Sequence, residues 1–313
     1  MRVISDHELL KICYLYYNED RTQQEISNIF GLSRFKIGRL LKQARESHLV
    51  TIRLNPPPGD LTEIEIELAR KYNLKESIVV NSSGLTDKSI LTRLGEAGAH
   101  YINGIIHQCK ILGIAWGRSV SHVIHSISPV NAKNLTVVQI TGGMGSIEGT
   151  DANALTITLG QKLKAKVHII QAPVIVKDRT LRDNLLKESQ IHEAIATAKK
   201  SDAVIFGIGL PNEDGLLSKA GLITPETAAT LENSGAIGAI CGRFFDANGK
   251  KCLIGIDERI VGLSLKDLLK VPNKICIAAG PQKVAAIAGA MNGGFLDVFV
   301  TDQLTAVDLL RRS

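Results

Sequence analysis

Eight apolar runs, each followed by a stretch with helical spacing, constrain the fold of this 313-residue chain more than any other feature. They are SIVVNS (77–82), KILGIAWG (110–117), LTVVQITGG (135–143), KVHIIQAPVIV (166–176), DAVIFGIGL (202–210), AIGAICGRFFD (236–246), KICIAAG (274–280) and LDVFVTDQ (296–303). Most are continuous rather than alternating. A strand buried on one face only alternates, whereas a parallel strand covered on both faces stays apolar throughout. Strand–helix repetition from residue 61 onward therefore predicts an α/β domain with a doubly wound sheet. A chain this long can bury a full core.

The segment NPPPGD, Asn55 to Asp60, cannot continue a helix or a central strand, because proline lacks the N–H and fixes φ. It predicts an all-α domain over 1–54, a linker over 55–60 and the α/β domain over 61–313. VTIRL, just before it, reads either as a short strand beside the N-terminal bundle, with Arg53 near phosphate, or as plain linker. LTEIEIELARKYNL, just after it, reads as one helix. Its stripe of Leu61, Ile64, Leu68 and Tyr72 suits either a contact between subunits or a cover for the sheet.

The first 54 residues hold nine Lys/Arg against six Asp/Glu, half of the whole chain's net charge of +6. From Arg34 to Arg53 the single acid is Glu46. TQQE (22–25) has the form of a capping box, and the helix it starts is expected to bury Ile26, Ile29 and Phe30. Gly31 supplies a left-handed turn. Ser33 caps a second helix whose buried stripe is Ile37, Leu40, Leu41 and Ala44. Arg34 and Lys36 then fall in the first turn of that helix, where cations oppose the helix dipole at about 0.3–1 kcal/mol each. The arrangement makes sense if an anion arrives there, and DNA phosphate or a guanine edge fits. Arg39, Lys42 and Arg45 extend the basic surface, and Gly38, on its outer side, reads either as admitting close backbone approach or as a tolerated imperfection of the helix. Two helices, a glycine turn and a basic second helix form a helix-turn-helix that binds double-stranded operator or promoter DNA. The expected DNA-contacting set is Thr22, Gln23, Ser33, Arg34, Phe35, Lys36, Arg39 and Lys42.

GIAWGRSVSHVI is a strand, a glycine turn and a helix start. Gly117 permits the turn, and the amides of Arg118, Ser119 and Val120 are left free to hold a phosphate. QITGGMGSIEGTDANAL is a second glycine-rich loop at a strand end, where open α/β sheets bind ligands. Asp151 there either caps the following helix or accepts sugar hydroxyls. Trp116 either packs on a sugar face or joins the core. His122 and His125, and His100 and His107, have no cysteine or carboxylate at metal-ligand spacing, so no metal is expected. GIGLPNEDG is not a dinucleotide-binding loop. No stretch is long and apolar enough to span a membrane, and the N-terminus lacks the pattern of a secretory signal. Five scattered cysteines without a CxxC suit reduced thiols in a cytoplasm.

The chain resembles the SorC family of bacterial transcription regulators. LYYNEDRTQQEISNIFGLSRFKIGRLLKQARESHLVTI, GIAWGRS, VVQITGGMGS, DAVIFGIG, GAIGAICGRFFDANG and GPQKVAAIAGAMNGGFLDVFVTDQLTA carry the likeness, in the family's order. The resemblance implies a helix-turn-helix joined to a Rossmann-like effector domain related to phosphosugar isomerases and deaminases. It also implies a homo-oligomer, usually a tetramer, that controls a sugar-catabolic operon in response to a phosphorylated sugar or sugar alcohol. Its phosphate loop maps onto Gly117, Arg118, Ser119 and Val120. Its sugar contacts map onto Thr141, Gly142, Gly143, Asp151 and Asn153, and a ligand-associated lysine maps onto Lys283. Thr141 stands where some relatives carry Lys or Arg, Ala239 where the family usually has an acid, and Ala279 where a glycine is common. The competing reading is an isomerase or deaminase on the same sheet. It requires a general base with an orienting partner. Asp151 and Asp302 are conceivable, but no His–acid or Lys–acid set stands out, so no catalytic residue is expected.

Overall fold

The computed structural model describes residues 4–145, 151–252 and 255–312. Residues 146–150 of the second glycine-rich loop lie outside the described residues. The chain divides into two compact units between Pro58 and Gly59.

Among its described residues the first unit has three helices, α1 (Asp6–Tyr17), α2 (Gln23–Phe30) and α3 (Arg34–Glu46). The capping box on α2 forms: the Glu25 amide donates to Thr22 Oγ1 at 3.2 Å and the Thr22 amide to Glu25 Oε2 at 2.8 Å. Gly31 closes α2 at φ 64°, and Ser33 Oγ accepts from the Lys36 amide at 3.2 Å. Ile37, Leu40, Leu41 and Ala44 of α3 pack with Leu9, Ile12, Cys13 and Ile26 in a single core. One expectation fails here, and for VTIRL the linker reading holds. Ile29 is 59% exposed rather than buried, because the buried side of α2 runs through Ile26, Phe30 and Ser27, and Ile29 lies past its edge, on the side of Ile26 away from the other two. VTIRL forms no strand, and Ile52 and Leu54 are exposed, since no other strand in this unit offers a hydrogen-bonding edge.

The second unit opens with α4 (Thr62–Tyr72), β1 (Glu76–Val80), α5 (Asp87–Ile105), β2 (Ile111–Ile114), α6 (Arg118–Ser126), β3 (Thr136–Gln139), α7 (Ala152–Leu163) and β4 (Lys166–His168). It continues through α8 (Arg179–Leu185), α9 (Ser189–Ala198), β5 (Ala203–Phe206), α10 (Leu216–Lys219), α11 (Pro225–Asn233), β6 (Gly238–Ile240), β7 (Arg243–Phe245), α12 (Leu265–Leu268), β8 (Asn273–Ile277), α13 (Val284–Asn292), β9 (Val298–Asp302) and α14 (Gln303–Arg311). Among the described residues, seven strands form one parallel sheet in the order β1-β9-β8-β5-β2-β3-β4. From β2 the chain steps outward through β3 to β4, then returns to the other side of β2 as β5. The direction of winding therefore reverses between β2 and β5.

Alternate residues of each strand enter two cores. Val79, Val204, Phe206, Cys276 and Phe299 pack with α4, α13 and α14. Ile78, Val80, Ala203, Ile205, Ile275, Ile277, Val298 and Val300 pack with α5, α6 and α7. Burial on both faces accounts for the unbroken apolar runs. The stripe Leu61, Ile64, Leu68 and Tyr72 packs on the first of these cores, so α4 covers the sheet.

One of the eight runs does not join the sheet. AIGAICGRFFD folds back on itself as the antiparallel hairpin β6–β7. Its two-residue turn is Cys241–Gly242, both at positive φ (52° and 80°), which is the backbone of the tight hairpin turns that match strand twist. KVHIIQAPVIV is also shorter as a strand than expected. It pairs only over Lys166–His168, and then Pro173 and Ile175 bridge to Gly143 and Ile260 instead.

Candidate functional site

Parallel α/β sheets bind ligands beyond the carboxyl ends of their strands, where the winding reverses. Here that point lies between β2 and β5, with β8 on the far side of β5. The β2–α6 connection passes through Gly117 at φ 136°, a conformation that favours glycine. The first intrahelical bond of α6 runs from the Ser121 amide to Gly117 O at 2.8 Å. The amides of Arg118, Ser119 and Val120 are thus left at the helix N-terminus, where the dipole favours an anion. The Arg118 side chain is exposed and enters no ion pair among the described residues.

Lys283 approaches from the other flank of β5. It ends the turn Pro281–Lys283 that follows β8, just before α13. It is half-buried and, among the described residues, has no carboxylate partner. Desolvation, with the Arg118 guanidinium nearby, lowers its pKa from the usual 10.5. Two unpaired cations and one open helix N-terminus therefore converge on the strand ends of β2, β5 and β8. Gly280 is anchored there by its amide, which donates to Thr305 Oγ1 at 2.8 Å.

The loop after β3 is built differently from the expectation. Thr141 is buried, and its hydroxyl donates to Cys241 O at 3.4 Å. The Gly142 amide donates to Val261 O at 3.0 Å, and its carbonyl accepts from Trp116 Nε1 at 2.9 Å. The Gly143 amide donates to Ala172 O at 2.9 Å. A Cβ at Gly142 would sit 2.5 Å from Ala172 O, so glycine is required by close backbone packing. The amides of Gly142 and Gly143 are committed to the fold, and Trp116 ties two strand-end loops together. Asp151 caps α7, accepting from the Ala154 amide at 2.6 Å. Asn153 Oδ1 accepts from Gln139 Nε2 at 2.8 Å, and Gln139 Oε1 accepts from the Ile170 amide at 2.8 Å. Gln139, buried at the end of β3, is a hub that sequence reasoning missed; a lone polar residue closing an apolar run was the signal.

The loop is held from behind by Arg243 on β7, also missed. Its guanidinium is buried and donates to Leu263 O at 2.6 Å, Asp257 Oδ1 at 2.9 Å, Asp257 O at 3.2 Å and Gly262 O at 3.2 Å. Gly262 in turn packs 2.7 Å (as a built Cβ) from Thr141 Cα. Burial pushes the Asp257 carboxyl up, but Arg243 and Lys251 outweigh it and hold the pKa below 3.8. Ala239, where the family usually has an acid, is buried and exchanges 2.9 Å backbone bonds with Gly209.

Neither conceivable base has an orienting partner. Asp302 is buried at the end of β9, and Oδ1 has no hydrogen-bond partner among the described residues. Asp151 is occupied in capping. His125 Nδ1 lies 2.8 Å from Ser121 O, and His122 packs against Gly95 of α5. Among the described residues no cluster suited to a metal ion occurs, and the five cysteines are free. A cavity of about 440 Å³ lies against α11, lined by Glu226, Thr230, Ile256 and Arg259; none of the sequence-predicted residues lines it.

In the helical unit, Arg34, Phe35 and Arg39 are exposed along α3, and Lys42 is 3.6 Å from Glu46 in a surface pair. Gly38 has a neighbour that neither reading named. A Cβ there would lie 3.3 Å from Gln23 Oε1, so the glycine accommodates a side chain of α2.

The residues 57–311 match the family described as "Putative sugar-binding domain". The chain is 31% identical to the Escherichia coli transcriptional regulator YjhU, over 98% of this chain and 95% of that one. It is 32% identical to the deoxyribonucleoside regulator of Bacillus subtilis, with 93% of each chain covered. The crystal structure of the full-length sorbitol operon regulator SorC from Klebsiella pneumoniae superposes with a TM-score of 0.76 at 29% identity, over 99% of this chain and 100% of that one. No helix among the described residues is long and apolar enough to cross a membrane. With a helical N-terminal unit, a parallel-sheet unit and likeness over almost its whole length, the chain belongs to the SorC family of transcriptional regulators that carry a sugar-binding domain.

Proposed function

We propose that the protein is a cytoplasmic, homotetrameric regulator that binds operator DNA through α2 and α3 and is switched by a phosphorylated sugar or sugar alcohol. The α/β unit is read as Rossmann-like and akin to phosphosugar isomerases, because the order β4-β3-β2-β5-β8-β9 is that of a sheet wound in two halves about one switch point. The effector phosphate sits on the amides of Arg118, Ser119 and Val120. The observation that carries this reading is the convergence of Arg118 and Lys283, both without carboxylate partners among the described residues, on that helix end. A desolvated lysine beside a guanidinium is unfavourable until an anion arrives. With Asp151 Oδ1 taken up in capping α7 and Asn153 Oδ1 held by Gln139, these residues would meet sugar hydroxyls through Asp151 Oδ2 and Asn153 Nδ2, while Thr141, Gly142 and Gly143 shape the loop that presents them.

The sugar is a monophosphate, since Thr141 cannot grip a second phosphate as Lys or Arg would. Ligand binding biases the oligomer between DNA-competent and DNA-incompetent arrangements, with a coupling of about 1–3 kcal/mol. Thermal unfolding of the full chain against a panel of sugar phosphates and their unphosphorylated counterparts tests it. A true effector at 100 times its dissociation constant adds about 2.7 kcal/mol to the α/β unit. Equal shifts for a sugar and its phosphate, or none for the whole panel, would refute the phosphate site.

A further inference from the structure

We propose that Phe35 reads thymine: its ring packs on the C5-methyl of a thymine in the major groove, and each half-site of the operator carries that base. The proposal rests on the DNA-binding reading of α2 and α3. Phe35 is 87% exposed, the largest value among the exposed large apolar residues described. It is the second residue of α3, directly after the Ser33 cap and Arg34. The buried stripe of that helix, Ile37, Leu40, Leu41 and Ala44, leaves Phe35 outside the core. Among the described residues its ring touches no other aromatic ring and no cation. It therefore contributes nothing to packing in its own unit, and an isolated phenyl ring in water is a solubility liability.

The surroundings specify what covers it. Arg34 and Lys36 flank it, Arg39 is one turn further on, and the first turn of α3 holds no acid. The partner must present dense negative charge on both sides of a narrow apolar feature. A duplex major groove does so, with phosphates along its rims and base edges on its floor. Thymine is the one base whose major-groove edge carries an apolar group, the C5-methyl, and phenylalanine is among the side chains that contact it. The N-terminal residues of a recognition helix are the ones that reach base edges. Gln23, resting across Gly38 beside this turn, borders the same surface from α2.

The test uses the full-length protein and a duplex enriched by repeated selection from a random-sequence pool. The enriched duplex is remade with deoxyuridine in place of thymidine, one position at a time, which removes only the methyl. For the wild type, uracil at one position of each half-site is expected to weaken binding about fourfold, the factor for one buried methyl-sized group. Phe35→Ala is expected to bind more weakly and to be indifferent to that replacement, while Phe35→Leu keeps the sensitivity. The proposal is overturned if uracil at no position affects the wild type, or if Phe35→Ala retains the same sensitivity. It is equally overturned if Phe35→Ala changes the mass measured by light scattering, which would assign the ring to a contact between subunits. Failure of any duplex to enrich removes the DNA-binding reading itself, and this proposal with it.

Discussion

Replacing Arg243 with methionine removes the clamp behind the candidate effector loop, and its cost follows from the contacts. The guanidinium reaches the carbonyls of Asp257, Gly262 and Leu263 and the Asp257 carboxylate, all within 3.2 Å. Methionine fills most of the volume but donates nothing. Breaking a buried ion pair from one side costs about 3–5 kcal/mol, because the remaining charge stays desolvated. Asp257 keeps one partner, Lys251 Nζ at 2.5 Å, so the lower end applies, about 3 kcal/mol. For a unit of this size each kcal/mol moves the midpoint by about 2–4 °C, so the α/β transition should fall by about 6–12 °C. Differential scanning calorimetry of the full chain at neutral pH reads it directly.

The pH dependence adds a second arm. The folded-state pKa of Asp257 is depressed below 3.8. Its contribution is therefore complete above the unfolded value and is lost as pH falls through the lowered folded value. The gap between wild type and Arg243→Met should persist from pH 7 to about pH 5 and narrow below pH 4. A midpoint shift under about 2 °C would mean that water satisfies those carbonyls, and the clamp would then explain nothing about the loop.

Three further outcomes are expected. Gly38→Ala should stabilise the helical unit by about 0.5–1 kcal/mol in thermal unfolding, the alanine–glycine difference in a helix, because Gln23 can give way; its DNA affinity should change as Gln23 moves. Affinity for a phosphorylated sugar should fall as pH rises through the lowered Lys283 pKa, below 10.5, and Lys283→Arg should flatten that dependence in calorimetric titrations. DNA affinity should fall steeply with salt: Lys42→Ala should weaken all sequences alike and reduce the salt slope by about 0.9, whereas Arg34→Ala should relax site choice.

The helical unit was legible because its signals are local. Thr22, Glu25, Gly31 and Ser33 act within a few residues of themselves, and the α3 stripe needs only a period of 3.6. The parallel strands were legible because burial on two faces leaves no alternation to misread. The hairpin was not, since Cys241 at φ 52° offers none of the usual Asn-Gly or Gly-rich turn chemistry. Gly142 and Gly143 read as flexible ligand-facing residues. Gly142 is constrained by the passage of Ala172 and Pro173 alongside, and Gly143 is tied by backbone bonds to Ala172 and Val174; both appear only once the chain leaves β4. Ile29 fails for a simpler reason: one apolar residue in a short helix does not say which side of the stripe it takes. Of the candidate effector residues, Gly117 and Arg118 follow β2 and Lys283 follows β8, at the carboxyl ends of those strands. Arg243 and Gln139, which brace the loop after β3, bond to residues 14 to 31 positions away, and no motif records them.

The edge strand β1 has a consequence for synthesis. Its one partner is β9, with Glu76 opposite Val298, about 220 residues further along. At 5–20 residues per second, the ribosome takes about 10–45 s to make that partner. Throughout that interval the Glu76–Val80 segment has no strand to pair with and only α4 beside it, whose Glu65 side chain accepts from the Val79 amide at 2.7 Å, while most of the core that the α4 stripe packs on has yet to be made. Chaperones that shelter nascent chains have their clearest target there, in the earliest part of the sheet to be made and the last to be closed.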